Sequence, residues 1–191
     1  MTIYTIGHST RSIDEFLALL RENGIACTVD VRSIPRSGRY PQFNSDALAA
    51  ALAEAGIGYR HMAGLGGRRG RIKGAPSRNT FWREEGFRNF ADYAETPPFA
   101  VALGELRALA HERPTTIMCA EAVWWRCHRR IISDYLVAAG EAVQHVLGPG
   151  KSEAARLTPE ARVLPNGALR YAAPDLLNGS TTDRGLAPIA R

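Results

Sequence analysis

Short apolar runs alternate with longer stretches in which apolar side chains return every third or fourth residue, from the N-terminus to about residue 148. Ile3–Ile6 reads as a strand, closed by Gly7-His8-Ser9. Ser12-Ile13-Asp14-Glu15 is a capping-box pattern, and Ile13, Phe16, Leu17 and Leu20 then follow helical spacing as far as Gly24. Cys27–Val31 is a second strand, running into Arg32-Ser33-Ile34-Pro35. Helical spacing returns from Ser45 through Leu48, Leu52 and Ala55 to Gly56, and Tyr59–His61 makes a short third strand. From Gly64 to about Gly86 the periodicity fails, which predicts a long basic loop at 64–86. Phe87–Tyr93 and Phe99–Ala110 are predicted helices, with Pro97-Pro98 between them. Thr115–Met118 is a strand, His128–Ala139 a helix ended by Gly140, and Val143–Val146 a last strand.

Strands that alternate with helix-length crossovers predict an α/β fold: a mainly parallel sheet with helices on both faces. Beyond Gly148 the pattern weakens into an irregular C-terminal extension. Leu157–Tyr171 could add a small hairpin or cover, because Pro165-Asn166-Gly167 is a turn signal. One α/β domain over residues 1–172 and a C-terminal tail over 173–191 are expected.

Composition changes this picture little. The chain has 191 residues, 45% of them apolar and 23% charged, in the range of ordinary soluble proteins. Met1-Thr2-Ile3-Tyr4-Thr5-Ile6 is too short and too quickly polar for a signal peptide, and no apolar run reaches the length of a membrane span. Three cysteines without an export signal point to free thiols in a reducing compartment, so a cytoplasmic location is expected, with no membrane partner. A net charge of +5 favours anionic partners. Lys73 and Lys151 are the only lysines among 24 basic residues, and arginine is the better bidentate ligand for phosphate and carboxylate.

Parallel strands end at one edge, where open α/β folds bind ligands. That rule gathers His8 and Ser9 after the first strand, Asp30 and Arg32 at the second, and His61 at the third. Cys119 and Glu121 follow the fourth, while Cys127 and His128 open the next helix. His145 lies inside the last strand, where sequence does not decide its face. The ordered set Thr5-Ile6-Gly7-His8-Ser9, Asp30-Val31-Arg32, Pro35 with Ser37, Leu65-Gly66-Gly67, Cys119-Ala120-Glu121 and Cys127-His128-Arg129 resembles the domain of unknown function 488 family. The resemblance runs from the first strand to about Tyr171, with His145 also in the pattern. It implies that these polar positions form the site, and it supplies no reaction.

Three chemistries are open to such a set. In the first, Cys119 is a nucleophile whose pKa is lowered by the start of the following helix and by Arg126, Arg129 and Arg130. His128 or His8 would be general acid/base, Glu121 would orient one of them, and Cys127 could resolve an oxidised Cys119. Arg32 would clamp the substrate's charge, positioned by Asp30, with Ser9, Arg126, Arg129, Trp125, Arg68 and Arg69 also binding substrate. The cradle of cysteine phosphatases is not expected, since Arg126 stands seven residues after Cys119 rather than six and the loop has no glycine. In the second, zinc or another transition metal sits at Cys119, Cys127 and His128, completed by His8 or His145. Against it, the short cysteine hooks of structural zinc sites are missing, and adjacent helical residues would diverge, so no cofactor is expected. In the third, Arg68, Arg69, Arg71, Lys73, Arg78 and Arg83 with Phe81 and Trp82 bind nucleotide or nucleic acid. The expectation is an enzyme with a cysteine-centred site acting on an anionic, nucleotide-like or nucleic-acid substrate. The alternative is a nucleic-acid-binding module whose Cys/His cluster is structural or holds metal.

Overall fold

The central strands of a parallel sheet bury both faces, and here two separate apolar clusters cover them. The computed structural model describes residues 2–72, 74 and 76–173. In chain order the elements are β1 (Thr2–Gly7), α1 (Ile13–Glu22), β2 (Cys27–Asp30), α2 (Ser45–Glu54) and β3 (Gly58–His61). Then come α3 (Glu85–Ala94), α4 (Pro97–Glu112), β4 (Thr115–Cys119), α5 (Arg129–Ala138) and β5 (Ala142–Gly148). Three short strands follow: β6 (Lys151–Ala154), β7 (Ala161–Val163) and β8 (Leu169–Tyr171). The main sheet has the order β3-β2-β4-β1-β5-β6 and is parallel except for β6, which returns antiparallel along β5. The expected α/β architecture is therefore present.

Alternation along the strands sorts the side chains between the clusters. Ile6, Met118 and Val146 face α1 and α2, packing with Phe16, Leu20, Leu48 and Leu52. Ile3, Val29, Ile117 and Val143 face α3, α4 and α5, packing with Phe90, Phe99, Leu106 and Ile132. The Ser12 hydroxyl accepts from the Glu15 amide at 3.1 Å and the Glu15 carboxylate accepts from the Ser12 amide at 2.7 Å, so α1 starts at the capping box.

Two parts of the pattern need correction. Val143–Val146 is not the last strand, because β6 pairs with it through a turn at Gly150, whose φ is +63°. Pro97 and Pro98 do not separate two helices; they form the first turn of α4, where proline's missing amide has no helical partner to lose. The small hairpin expected within Leu157–Tyr171 is present: β7 and β8 pair antiparallel, and the Tyr171 hydroxyl donates to Asp134 of α5 at 2.9 Å. The expected tail at 173–191 lies, except for Ala173, outside the described residues, as does Lys73. Among the described residues no helix is long and apolar enough to cross a membrane.

The topology also opens the site. The chain leaves β1 by α1 on one face, and leaves the adjacent β4 by α5 on the other. Departing segments separate at the carboxyl ends of β1 and β4, and a crevice forms between them.

Candidate functional site

Beyond their last ladder pair, Gly7 beside Cys119, β1 and β4 stay laced together. The His8 amide donates to the Cys119 carbonyl at 2.9 Å, and the Ser9 amide to the Ala120 carbonyl at 2.9 Å. Gly7 permits this closeness, since a Cβ there would run into the Glu121 carbonyl oxygen. Ser9 takes a φ of +51°, a left-handed turn that a serine seldom adopts. After a 3-10 turn at Trp124–Arg126, Cys127 is extended (φ −131°, ψ 147°) and His128 is helical (φ −57°, ψ −16°).

That change of conformation decides the chemistry of the floor. Two adjacent helical residues would point about 100° apart, but an extended Cys127 followed by a helical His128 lets both side chains converge. His128 Nδ1 lies 3.6 Å from Cys127 Sγ and 3.9 Å from Cys119 Sγ, and the three atoms are all within 4.8 Å of one another. His128 Nε2 donates to the Val31 carbonyl at 3.0 Å. A carbonyl only accepts, so Nε2 carries a proton there and Nδ1 faces the two sulfurs. Gly67 lies against the ring, where a Cβ would collide with three of its atoms, and Phe90 packs edge-on at 5.0 Å. Buried Arg129 donates from Nε to Cys127 Sγ at 3.4 Å and from Nη2 to the Glu121 carbonyl at 2.6 Å.

The two thiols are shifted in opposite directions, and the lowered one is not the one the sequence suggested. The hydrogen bond with Cys127, then burial and the charge on Cys127, push the Cys119 thiol well above its ordinary range. For Cys127, burial opposes ionisation, but hydrogen bonds from Cys119 and His128 and the charges of His128 and Arg129 outweigh it and hold the thiol well below its ordinary range. The lowered thiol is thus Cys127, whose sulfur accepts from Arg129 Nε at 3.4 Å. His8 is also buried: its Nδ1 donates to the Ser9 carbonyl at 3.0 Å and its ring stacks on Phe43 at 4.2 Å. Burial lowers its pKa to about 4, so it is neutral at pH 7, and its Nε2 has no partner among the described residues.

These groups line a cavity of about 760 Å³. Cys119, Cys127 and His128 form its floor, with His8, Ser9 and Glu121 beside them. Five arginines stand in its walls, Arg32, Arg36, Arg39, Arg68 and Arg126, against two carboxylates, Glu84 and Glu121. Arg32 is held by Asp30 through contacts of 2.9 Å at Nε and 2.6 Å at Nη2, and Nη2 also reaches the Phe43 carbonyl at 2.7 Å. The Tyr59 hydroxyl donates to the same carboxylate at 3.0 Å. Asp30 therefore sits behind Arg32 and does not line the cavity.

Other anticipated residues are elsewhere. Arg129 lies beneath Cys127 and outside the cavity lining. Trp125 is exposed and absent from the walls. Arg69 is spent on the carbonyls of Ala63, Gly64 and Gly66 and stacks over Tyr93 at 3.7 Å. The His61 ring donates from Nε2 to the Arg32 carbonyl at 2.8 Å, a bond that positions the Arg32 segment. His145 shares a 2.8 Å bond with the Thr5 hydroxyl and stacks on Trp124 at 4.3 Å, away from the cavity. Sequence reasoning missed Arg36, Arg39, Tyr40 and Phe87 in the walls. The first three were findable as a basic, glycine-bearing loop directly after the second strand.

The family model described as domain of unknown function DUF488 matches residues 12–136 of this chain. The matched span includes Asp30, Arg32, Cys119, Glu121, Cys127 and His128 and leaves His8 and Ser9 just outside. No curated protein and no solved structure matches.

Proposed function

Since the chain belongs to the family described as domain of unknown function DUF488, a description that states no activity, we propose from the site itself that the protein is an enzyme whose cysteine-centred floor acts on an anionic substrate. One observation carries this reading: two thiols and a tautomer-fixed imidazole meet at the bottom of an arginine-walled cavity. Arginine forks match carboxylate and phosphate oxygens in pairs. Five in one concave wall would gather a ligand's charge at one end and leave its reacting group over the sulfurs. The volume lies within the roughly 300–1,000 Å³ typical of small-molecule sites. The Tyr40 and Phe87 rings supply flat apolar surface, which suits a nucleotide-like body. His8 Nε2 offers an unpartnered acceptor to a hydroxyl or a water there.

The nucleic-acid reading has less support. Of the basic segment at 64–86, Arg68 faces into the cavity and Arg69 is consumed by its own backbone. Arg71, Arg78 and Arg83 are exposed, but the Trp82 ring that would stack a base is buried.

Calorimetric titration with inorganic phosphate, pyrophosphate and AMP at low salt tests the proposal. At least one should bind, and Arg36→Ala or Arg39→Ala should weaken it by about tenfold, or about 1.4 kcal/mol. Silence from all three anions, alongside binding of single-stranded DNA that neither substitution alters, would refute the small-substrate reading.

A further inference from the structure

We propose that Cys119, Cys127 and His128 bind one divalent transition-metal ion of the zinc class, with a coordination position left open to the cavity. Metal–sulfur bonds of about 2.3 Å and metal–nitrogen bonds of about 2.0–2.1 Å in a tetrahedron place sulfur and nitrogen about 3.6 Å apart, and two sulfurs about 3.8 Å apart. Here the two sulfur–nitrogen separations are 3.6 and 3.9 Å, and all three atoms lie within 4.8 Å. An ion fits if the two sulfurs close by at most about one ångström, in side chains that already converge. The sequence-level objection, that neighbouring Cys127 and His128 would diverge, fails because Cys127 is extended.

The groups behind the ligands support the same assignment. Metal-bound imidazoles donate their remote N–H to a fixed oxygen, which keeps the ligating lone pair aimed at the ion. The His128–Val31 bond does this, with Gly67 and Phe90 holding the ring plane. Arg129 fixes Cys127 by donating to its sulfur. Two thiolates and one imidazole are soft donors that favour zinc over magnesium or calcium. Their two negative charges would neutralise a divalent ion, so the filled site would not repel the surrounding arginines. Binding holds both cysteines as thiolates and releases whatever thiol protons they still carry.

Among the described residues the group contains no fourth protein ligand, and its three members all line the cavity. Three protein ligands with one open position is the catalytic rather than the structural arrangement of zinc. The open position would take a water or a substrate oxygen at the foot of the arginine wall. What that position does rests on the cavity reading above; whether the ion binds does not.

Chelator-stripped protein titrated with Co²⁺, then Zn²⁺, decides the matter. We expect one equivalent of Co²⁺ with a thiolate charge-transfer band in the near ultraviolet, its displacement by Zn²⁺, and release of at most two protons per ion. Bound Zn²⁺ should protect Cys119 and Cys127 from alkylation. Cys127→Ser and His128→Asn should each lower Co²⁺ affinity by tenfold or more, while Cys27→Ser, in β2 outside the group, should not change it. No charge-transfer band and no protection in the unsubstituted protein would overturn the metal site, even if a variant fails to fold. Anions that still bound the cavity would then leave the enzyme reading standing, whereas cobalt uptake without anion binding would do the reverse.

Discussion

At Gly67 the backbone and the His128 ring already touch, so the smallest side chain has nowhere to go. Gly67→Ala should destabilise the fold by about 1–3 kcal/mol through overpacking. It should also swing the imidazole away from the sulfurs and so weaken cobalt binding. Gly104→Ala is the control: this glycine lies on the exposed side of α4 with open space around it, and alanine should stabilise by about 0.5–1 kcal/mol. Equal effects in urea denaturation would show that the Gly67 contact is not what requires glycine. A second residue, His145, is buried neutral, and burial lowers its pKa from 6.5 to about 4. Between these values the unfolded chain binds more protons than the folded one, so stability is full above pH 6.5 and falls as the pH drops toward 4. His145→Asn should remove part of the loss between pH 7 and pH 5, leaving the share that His8 contributes. An unchanged pH slope would mean that His145 does not set it.

Among the elements, legibility followed how local the cause was. The start of α1 was readable because the capping box lies within four consecutive residues, worth about 1 kcal/mol on its own. β6 was not, because Lys-Ser-Glu-Ala is exposed throughout and has no apolar alternation; only its backbone pairs with β5. Pro97-Pro98 misled because proline signals a break everywhere except in a helix's first turn. The C-terminal hairpin depends on distant partners. The Asp134 carboxylate accepts from the Thr158 amide at 2.8 Å and from the Tyr171 hydroxyl at 2.9 Å, both buried. Tyr171→Phe should cost about 1–3 kcal/mol by stranding part of a buried carboxylate. Denaturation midpoints within error of the unsubstituted protein would mean that the hairpin is held by its apolar side chains alone.

Over the whole molecule, the distribution of charge matters more than its sum. A net charge of +5 is modest, yet five arginines from three separate segments face one cavity. Anion binding should therefore weaken as salt rises, with a shallower dependence in Arg36→Ala than in the unsubstituted protein. Titrating the same anion at low and high salt checks this, and a salt-independent affinity would mean that the arginines do not face the ligand. The sheet order supplies the cavity itself. Because β1 and β4 are neighbours whose chains exit to opposite faces, two loops remote in sequence become the two banks of one cleft.

What the chain determined by itself was everything carried by short-range periodicity and by the rule that parallel strands end on one edge. That covers the α/β class, most element positions and the gathering of His8, Arg32, Cys119, Cys127 and His128. Tertiary structure decided what periodicity cannot encode. It turned Arg129 and Asp30 inward as supports, brought Arg36, Arg39 and Phe87 into the walls, and moved the lowered thiol from Cys119 to Cys127. Each outcome depends on which atoms lie within a few ångströms across the fold. Burial and Coulomb interaction are set by those distances, which spacing along the chain does not record.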